Sequence, residues 1–138
     1  MTPEETKLVQ TTIAALQKEA DRATTVFYER LFTRNPELQQ LFLGDMEEQG
    51  QKLMAMLRMI SKTADSLYAI APAIENLGIQ HVRFHVQPDD YTAFGEALLE
   101  MLTLELGPDF TPEARSAWNQ LYGEMTSLMK EAGKDVVR

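Results

Sequence analysis

The chain has two histidines, His81 and His85, and no cysteine, so a metal ion or a haem iron has very few soft anchors here. His81 lies in LGIQHVRFHVQPDDYTAFGEALLEML (77–102), where one helical apolar pattern ends and another begins after Pro88. A neutral imidazole is a common metal ligand and the usual proximal ligand of haem iron, but a lone histidine is more often just a polar residue at a helix edge. Four residues apart on a continuous helix, His81 and His85 could also share one face as zinc ligands. Val82, Arg83 and Phe84 between them supply no zincin glutamate, and carboxylates would have to complete the site. Tyr28, between Phe27 and Leu31, reads equally well as core with its hydroxyl reaching solvent or as a group facing a ligand. Gln49 alone reads as an exposed glutamine. The pairs Glu47/Glu48 and Asp89/Asp90 suit helix starts, and Met54, Met56 and Met59 suit gap-filling core or a pocket wall. A Gly-rich phosphate loop, a G-x-S-x-G elbow and H-E-x-x-H are all absent.

These side chains must be positioned by helices. Thr2-Pro3-Glu4-Glu5 is a helix start, with Thr2 as N-cap and Glu5 reaching back, and Val9, Ile13 and Leu16 follow at helical spacing. A second helix is predicted over about 20–34, broken by Asn35-Pro36, with a short helix from Pro36 through Leu41-Phe42. A third covers about 46–66, with Leu53, Leu57, Ile60 and Ala64 on one stripe. Pro72 restarts a helix that reaches His81, Pro88 starts another, Gly107-Pro108 ends it, and Thr111-Pro112-Glu113 opens the last. No alternating run suggests a sheet, and helices of unequal length joined by Pro/Gly corners point to an irregular all-α fold over a four-helix bundle.

At 138 residues the chain reads as a single domain, 1–138, with an ordinary apolar content of 44%. The net charge of -8 argues against nucleic acid or an anionic membrane as partner. The polar, acidic MTPEETKLVQ has no secretory pattern, and no apolar stretch approaches a membrane span, so a cytoplasmic setting is expected. The absence of cysteine excludes disulfides, zinc–thiolate sites, iron–sulfur clusters and thiol nucleophiles.

FYERLFTRNPELQQLF (27–42), LGIQHVRFHVQPDDYTAFGEALLEML (77–102) and LGPDFTPEARSAWNQLYGEM (106–125) together resemble a globin. The resemblance is to single-domain bacterial haemoglobins of the flavohaemoglobin type, and the last two segments also resemble neuroglobin. It covers essentially the whole chain, and Phe42 followed some forty residues later by His81 is its most specific signal. It implies a globin fold of 6–8 helices, three over three around haem b.

The resemblance also implies roles. His81 matches the proximal iron ligand, Phe42 the aromatic packed on the porphyrin, and Leu77 a further haem contact. Tyr28 and Gln49 match the distal residues that approach bound gas, and Leu53, one turn after Gln49, matches the apolar residue above the iron. Tyr91 matches a tyrosine beside the proximal imidazole. In the bacterial relatives a glutamate of the last helix completes that network, but the matching position here is Gly133. Glu131 is the nearest carboxylate in sequence and sits on another helical face, and Asp90 stands where the family often has histidine. A weak proximal push is therefore expected. His85, Lys52 and Arg83 are candidate partners of the haem propionates.

The expected ligands are O2, NO and CO, and the expected role is reversible gas binding for storage, delivery or sensing. The alternative is an NO dioxygenase served by a separate reductase, and a haem-free helical sensor or interaction domain is a distant third. Monomer and homodimer are both compatible with the sequence.

Overall fold

The computed structural model describes residues 1–136. Six α-helices carry the fold: α1 (Pro3–Gln17), α2 (Ala20–Arg34), α3 (Met46–Lys62), α4 (Ala71–Arg83), α5 (Asp90–Leu106) and α6 (Pro112–Gly133). Short 3-10 segments lie at Pro36–Leu41, Leu67–Ile70 and Gly107–Asp109, and no strand occurs among the described residues. The predicted starts of α1 and α6 are made by side chains. Thr2 and Glu5 form a reciprocal capping box, with Glu5 N–H donating to Thr2 Oγ1 at 3.1 Å and Thr2 N–H to Glu5 Oε1 at 2.9 Å. Thr111 Oγ1 accepts from Ala114 N–H at 3.1 Å, and Asp45 caps α3 by accepting from Glu47 N–H at 2.9 Å.

Helix α4 packs on α6 and α2 on α5; α1 packs on α6, and α3 on α1 and α2. The core is apolar, with Val9, Leu31, Leu57, Ile74, Leu102 and Leu121 fully buried. Trp118 is also fully buried, and its indole N–H donates to Thr12 Oγ1 at 2.6 Å, while the Thr12 hydroxyl donates to the Val9 carbonyl at 2.8 Å. The relay satisfies two buried polar groups and ties α6 to α1. Along the α2–α5 seam, Arg34 pairs with Glu96 (3.2 Å) and Glu100 (2.6 Å), and Arg22 with Glu105 (2.8 Å). Each such surface pair adds little stability, but together they favour one register of the two helices.

Three boundaries differ from the sequence expectation. Helix α3 stops at Lys62, short of residue 66, and the turn Leu67–Ile70 was not foreseen. The hydroxyls of Ser61 and Thr63 bond back to the carbonyls of Arg58 and Met59, and Ser66 N–H turns to the Thr63 carbonyl; such local bonds compete with continued helix. The segment after Pro36 is 3-10, and Phe42 lies just beyond it. Pro88 lies in the turn before α5, which begins at Asp90, where the Asp90 carboxylate accepts from Gln87 N–H at 2.8 Å.

Three glycines allow close helix approaches around the site. A Cβ at Gly78 of α4 would run into the Met129 carbonyl oxygen of α6, and one at Gly133 would come within 2.8 Å of Val82. At Gly50 of α3 a Cβ would come within 2.9 Å of Thr24 Oγ1 of α2. These close approaches draw α4 against α6 and α3 against α2.

Candidate functional site

The helices enclose a cavity of about 540 Å³, within the roughly 300–1,000 Å³ range of small-molecule and cofactor sites. Tyr28, Phe42, Gln49, Lys52, Leu53, Leu77, His81, Arg83, His85 and Tyr91 all line it, and so does Met56, whereas Met54 is core and Met59 packs against the core. They come from α2, the corner after Pro36–Leu41, α3, α4, the turn after α4, and α5. Phe94, Tyr122 and Met129 line it as well and were not named from sequence. Phe94 was within reach of pattern reasoning, since it lies one turn after Tyr91 on α5; Tyr122 and Met129 carried no signal apart from α6's own periodicity.

His81 lies half-buried in the last turn of α4, and burial lowers its pKa from the ordinary histidine value. Its Nδ1 is 3.1 Å from the Tyr91 hydroxyl oxygen. Tyr91 is in turn pinned through its backbone, because the Tyr122 hydroxyl donates to the Tyr91 carbonyl at 2.5 Å. Burial, with Tyr91 adding to it, pushes the Tyr122 hydroxyl far up, so it remains a donor. The end of α4 is fixed with similar economy of parts. Val86 N–H donates to the His81 carbonyl and His85 N–H to the Val82 carbonyl, both at 2.9 Å, with His85 in the left-handed region at φ 72. This is a Schellman cap with histidine where glycine is usual.

The cap corrects the zinc geometry considered above. His85 lies beyond the end of α4 at Arg83, so His81 and His85 do not share a helical face. Among the described residues no cluster of three His, Cys, Asp or Glu could hold a metal ion.

On the other wall, Tyr28 is buried among aromatic rings, with Phe27, Phe32 and Phe42 at centroid distances of 5.0, 5.9 and 5.3 Å. Its hydroxyl donates to the Gln49 main-chain carbonyl at 3.3 Å, and burial pushes its pKa up to about 12. The Gly50–Thr24 contact brings α3 close enough for that bond. Leu53 follows one turn beyond Gln49 on the same wall. Lys52 is exposed and lies 3.9 Å from Glu48. Arg83 and His85 are exposed at the cavity's edge, as are Leu43 and Phe84. On the proximal side, Gly133 is taken up by its packing on Val82, and the Glu131 carboxylate is turned out to Lys134 at 2.7 Å.

An iron porphyrin fits this donor set. The cavity is largely apolar, with one half-buried imidazole that has a ring nitrogen engaged by a fixed phenol. Such a second partner orients a ligating histidine. Cations stand at the cavity's edge, where the acidic side chains of a porphyrin would lie.

The globin family model matches residues 25–129, and the chain belongs to that family. It is 34% identical over 126 residues to a flavohemoprotein of Vibrio cholerae serotype O1, covering 88% of this chain and 32% of that protein. It is 30% identical over 132 residues to a flavohemoprotein of Bordetella parapertussis, covering 94% of this chain and 33% of the relative. The chain thus spans about a third of the length of these relatives. Among solved structures, it superposes with a TM-score of 0.87 and 29% identity on an engineered carbene transferase made from a candidate nitric oxide dioxygenase of Rhodothermus marinus, covering 99% of this chain and 95% of that one. A bacterial globin of Campylobacter jejuni superposes with a TM-score of 0.85 and 25% identity, covering 98% of both chains. Among the described residues no helix is long and apolar enough to cross a membrane.

Proposed function

We propose that this globin holds haem b through His81 and reversibly binds O2 and other diatomic gases beside Tyr28 and Gln49, for storage, delivery or sensing. The observation that carries the reading is the half-buried His81 imidazole in a largely apolar cavity, with Nδ1 engaged by Tyr91 and Nε2 left for iron. When bound, the haem iron supplies an open coordination position for a gas molecule. Phe42, Leu53 and Leu77 provide apolar contact with the porphyrin, and Lys52 and His85 meet its carboxylates at the edge. Tyr28 and the Gln49 amide offer N–H and O–H donors to a polarised gas, and such charge-assisted bonds contribute about 1.5–3 kcal/mol each. The expected setting is cytoplasmic.

A second reading is NO dioxygenation, in which NO and O2 take up one electron from a separate reductase and become nitrate. The flavohemoprotein relatives and the candidate nitric oxide dioxygenase among the structural neighbours favour keeping it. An ultraviolet–visible spectrum of the haem-reconstituted chain tests the common part of both readings. A haem spectrum that forms equally well in His81→Gly without added imidazole would overturn it. NO consumption measured with and without an added reductase then separates the two: turnover that depends on the reductase makes the chain an enzyme, and single-turnover loss of NO makes it a gas-binding protein.

A further inference from the structure

The Nζ of Lys130, on α6, lies 5.8 Å from the centroid of the Tyr91 ring, within the range of a cation–π contact. The Tyr91 hydroxyl oxygen is the group 3.1 Å from His81 Nδ1. Lys130 makes no ion pair among the described residues, whereas the neighbouring Lys134 is paired with Glu131 at 2.7 Å. The register of α6 explains how Lys130 comes to be there. Gly133 and the Met129 backbone lie against Val82 and Gly78, so α6 runs close beside the helix that carries His81. Lys130 follows Met129 by one residue and meets the Tyr91 ring, which the Tyr122 hydrogen bond holds by its carbonyl.

We propose that Lys130 is a positioning residue for the iron-binding imidazole, acting through Tyr91 to weaken the hydrogen bond that His81 Nδ1 makes. This rests on the assignment of His81 as the iron ligand. When Nε2 of His81 binds a metal, Nδ1 carries the ring proton and donates it to the Tyr91 oxygen. An ammonium group over the phenol draws electron density away from that oxygen and makes it a poorer acceptor. The imidazole then keeps its proton more fully, gives less charge to iron, and forms a weaker iron–histidine bond. A carboxylate in the same network would act in the opposite sense.

The test uses the haem-loaded full chain. Lys130 is exposed, so its variants should fold. Resonance Raman of the ferrous, gas-free form reads the iron–histidine stretch. It should rise in Lys130→Gln, rise further in Lys130→Glu, and stay at the wild-type value in Lys130→Arg. The preference for ferric over ferrous haem, from redox titration, should grow in Lys130→Gln and grow further in Lys130→Glu, because each step makes the charge near the ligand network less positive. Any nearby charge moves the potential, but the stretch responds only if the effect passes through the imidazole. In a Tyr91→Phe background the stretch should no longer respond to Lys130. An unchanged stretch in Lys130→Glu, or the same shift with and without the Tyr91 hydroxyl, overturns this proposal alone. Absence of an iron–histidine band from the wild-type protein overturns the ligand assignment and this proposal with it.

Discussion

Replacing Tyr28 by phenylalanine removes one hydroxyl from the wall that faces the gas, and the structure constrains how large the effect can be. Tyr28 has a single proton to donate. In the structure that proton goes to the Gln49 carbonyl at 3.3 Å, at the long end of the range, where a neutral bond contributes about 0.5 kcal/mol net. A polarised O2 offers a charge-assisted bond of about 1.5–3 kcal/mol, and the hydroxyl must leave the carbonyl to make it. The net gain is about 1–2.5 kcal/mol, so Tyr28→Phe should speed O2 release about five- to seventyfold. The aromatic packing against Phe27, Phe32 and Phe42 survives the change. Because the acceptor is the main chain of Gln49, the substitution should have a similar effect in a Gln49→Ala background. Stopped-flow displacement of O2 measures the rate, and CO release, to a weaker hydrogen-bond acceptor, should change less. Burial places the hydroxyl's pKa near about 12, so the donor is intact and the release rate flat from about pH 6 to about pH 9. The sign for stability follows: the folded pKa is raised above the unfolded value, so this contribution is complete below about pH 10 and is lost as pH climbs toward about 12. Unchanged O2 release in both Tyr28→Phe and Gln49→Ala would refute the reasoning, since neither side chain could then be touching the gas.

Other expectations concern the opposite wall and its supports. His81→Gly should lose ordinary haem binding and regain it with added imidazole, read from the visible spectrum, whereas His85→Ala should keep the iron ligand in place. Gly133→Glu should lower the stability of the apo chain by about 1–3 kcal/mol, because its Cβ would approach Val82 at 2.8 Å; an unchanged denaturation midpoint would show that α4 and α6 can part there without cost. His85→Gly should raise apo stability by about 0.5 kcal/mol, since glycine takes the left-handed cap position at φ 72 without a side-chain clash. A destabilised His85→Gly would mean that the imidazole contributes contacts that outweigh the backbone strain.

The helices and their caps were largely legible because their signals are local. Thr2-Pro3-Glu4-Glu5 and Thr111-Pro112 each place an acceptor and a fixed φ at a helix start, and the structure uses both. The end of α3 was not legible, since the apolar stripe runs on through Ala64 while the hydroxyls of Ser61 and Thr63 turn the backbone aside. Site membership came from the family resemblance: nothing in the types of Gln49 or Leu53 marks a cavity. What the resemblance could not supply is how each group is used. It matches Tyr28 to a gas-facing position, and the structure shows its proton held by the Gln49 main-chain carbonyl. It matches His85 to a propionate partner, and a Schellman cap decides the residue's backbone before its side chain can be considered.

Gly133 shows most clearly why a position must be read together with its packing. Against the family pattern it is a lost carboxylate, and sequence alone offers Glu131 as a substitute. In three dimensions Glu131 is directed at Lys134, and Gly133 packs on Val82 beside the close approach of Gly78 to the Met129 backbone. A glutamate at 133 would have to push α4 away from α6, and α4 is the helix that carries His81. Removing the side chain there lets the two helices touch, and the same close approach sets the register that brings Lys130 to the ring of Tyr91. The change from a carboxylate to a cation in the proximal network is therefore coupled to the seating of the ligand helix. Restoring the acid by a single substitution at 133 should disturb the position of His81 before it can alter the imidazole's charge.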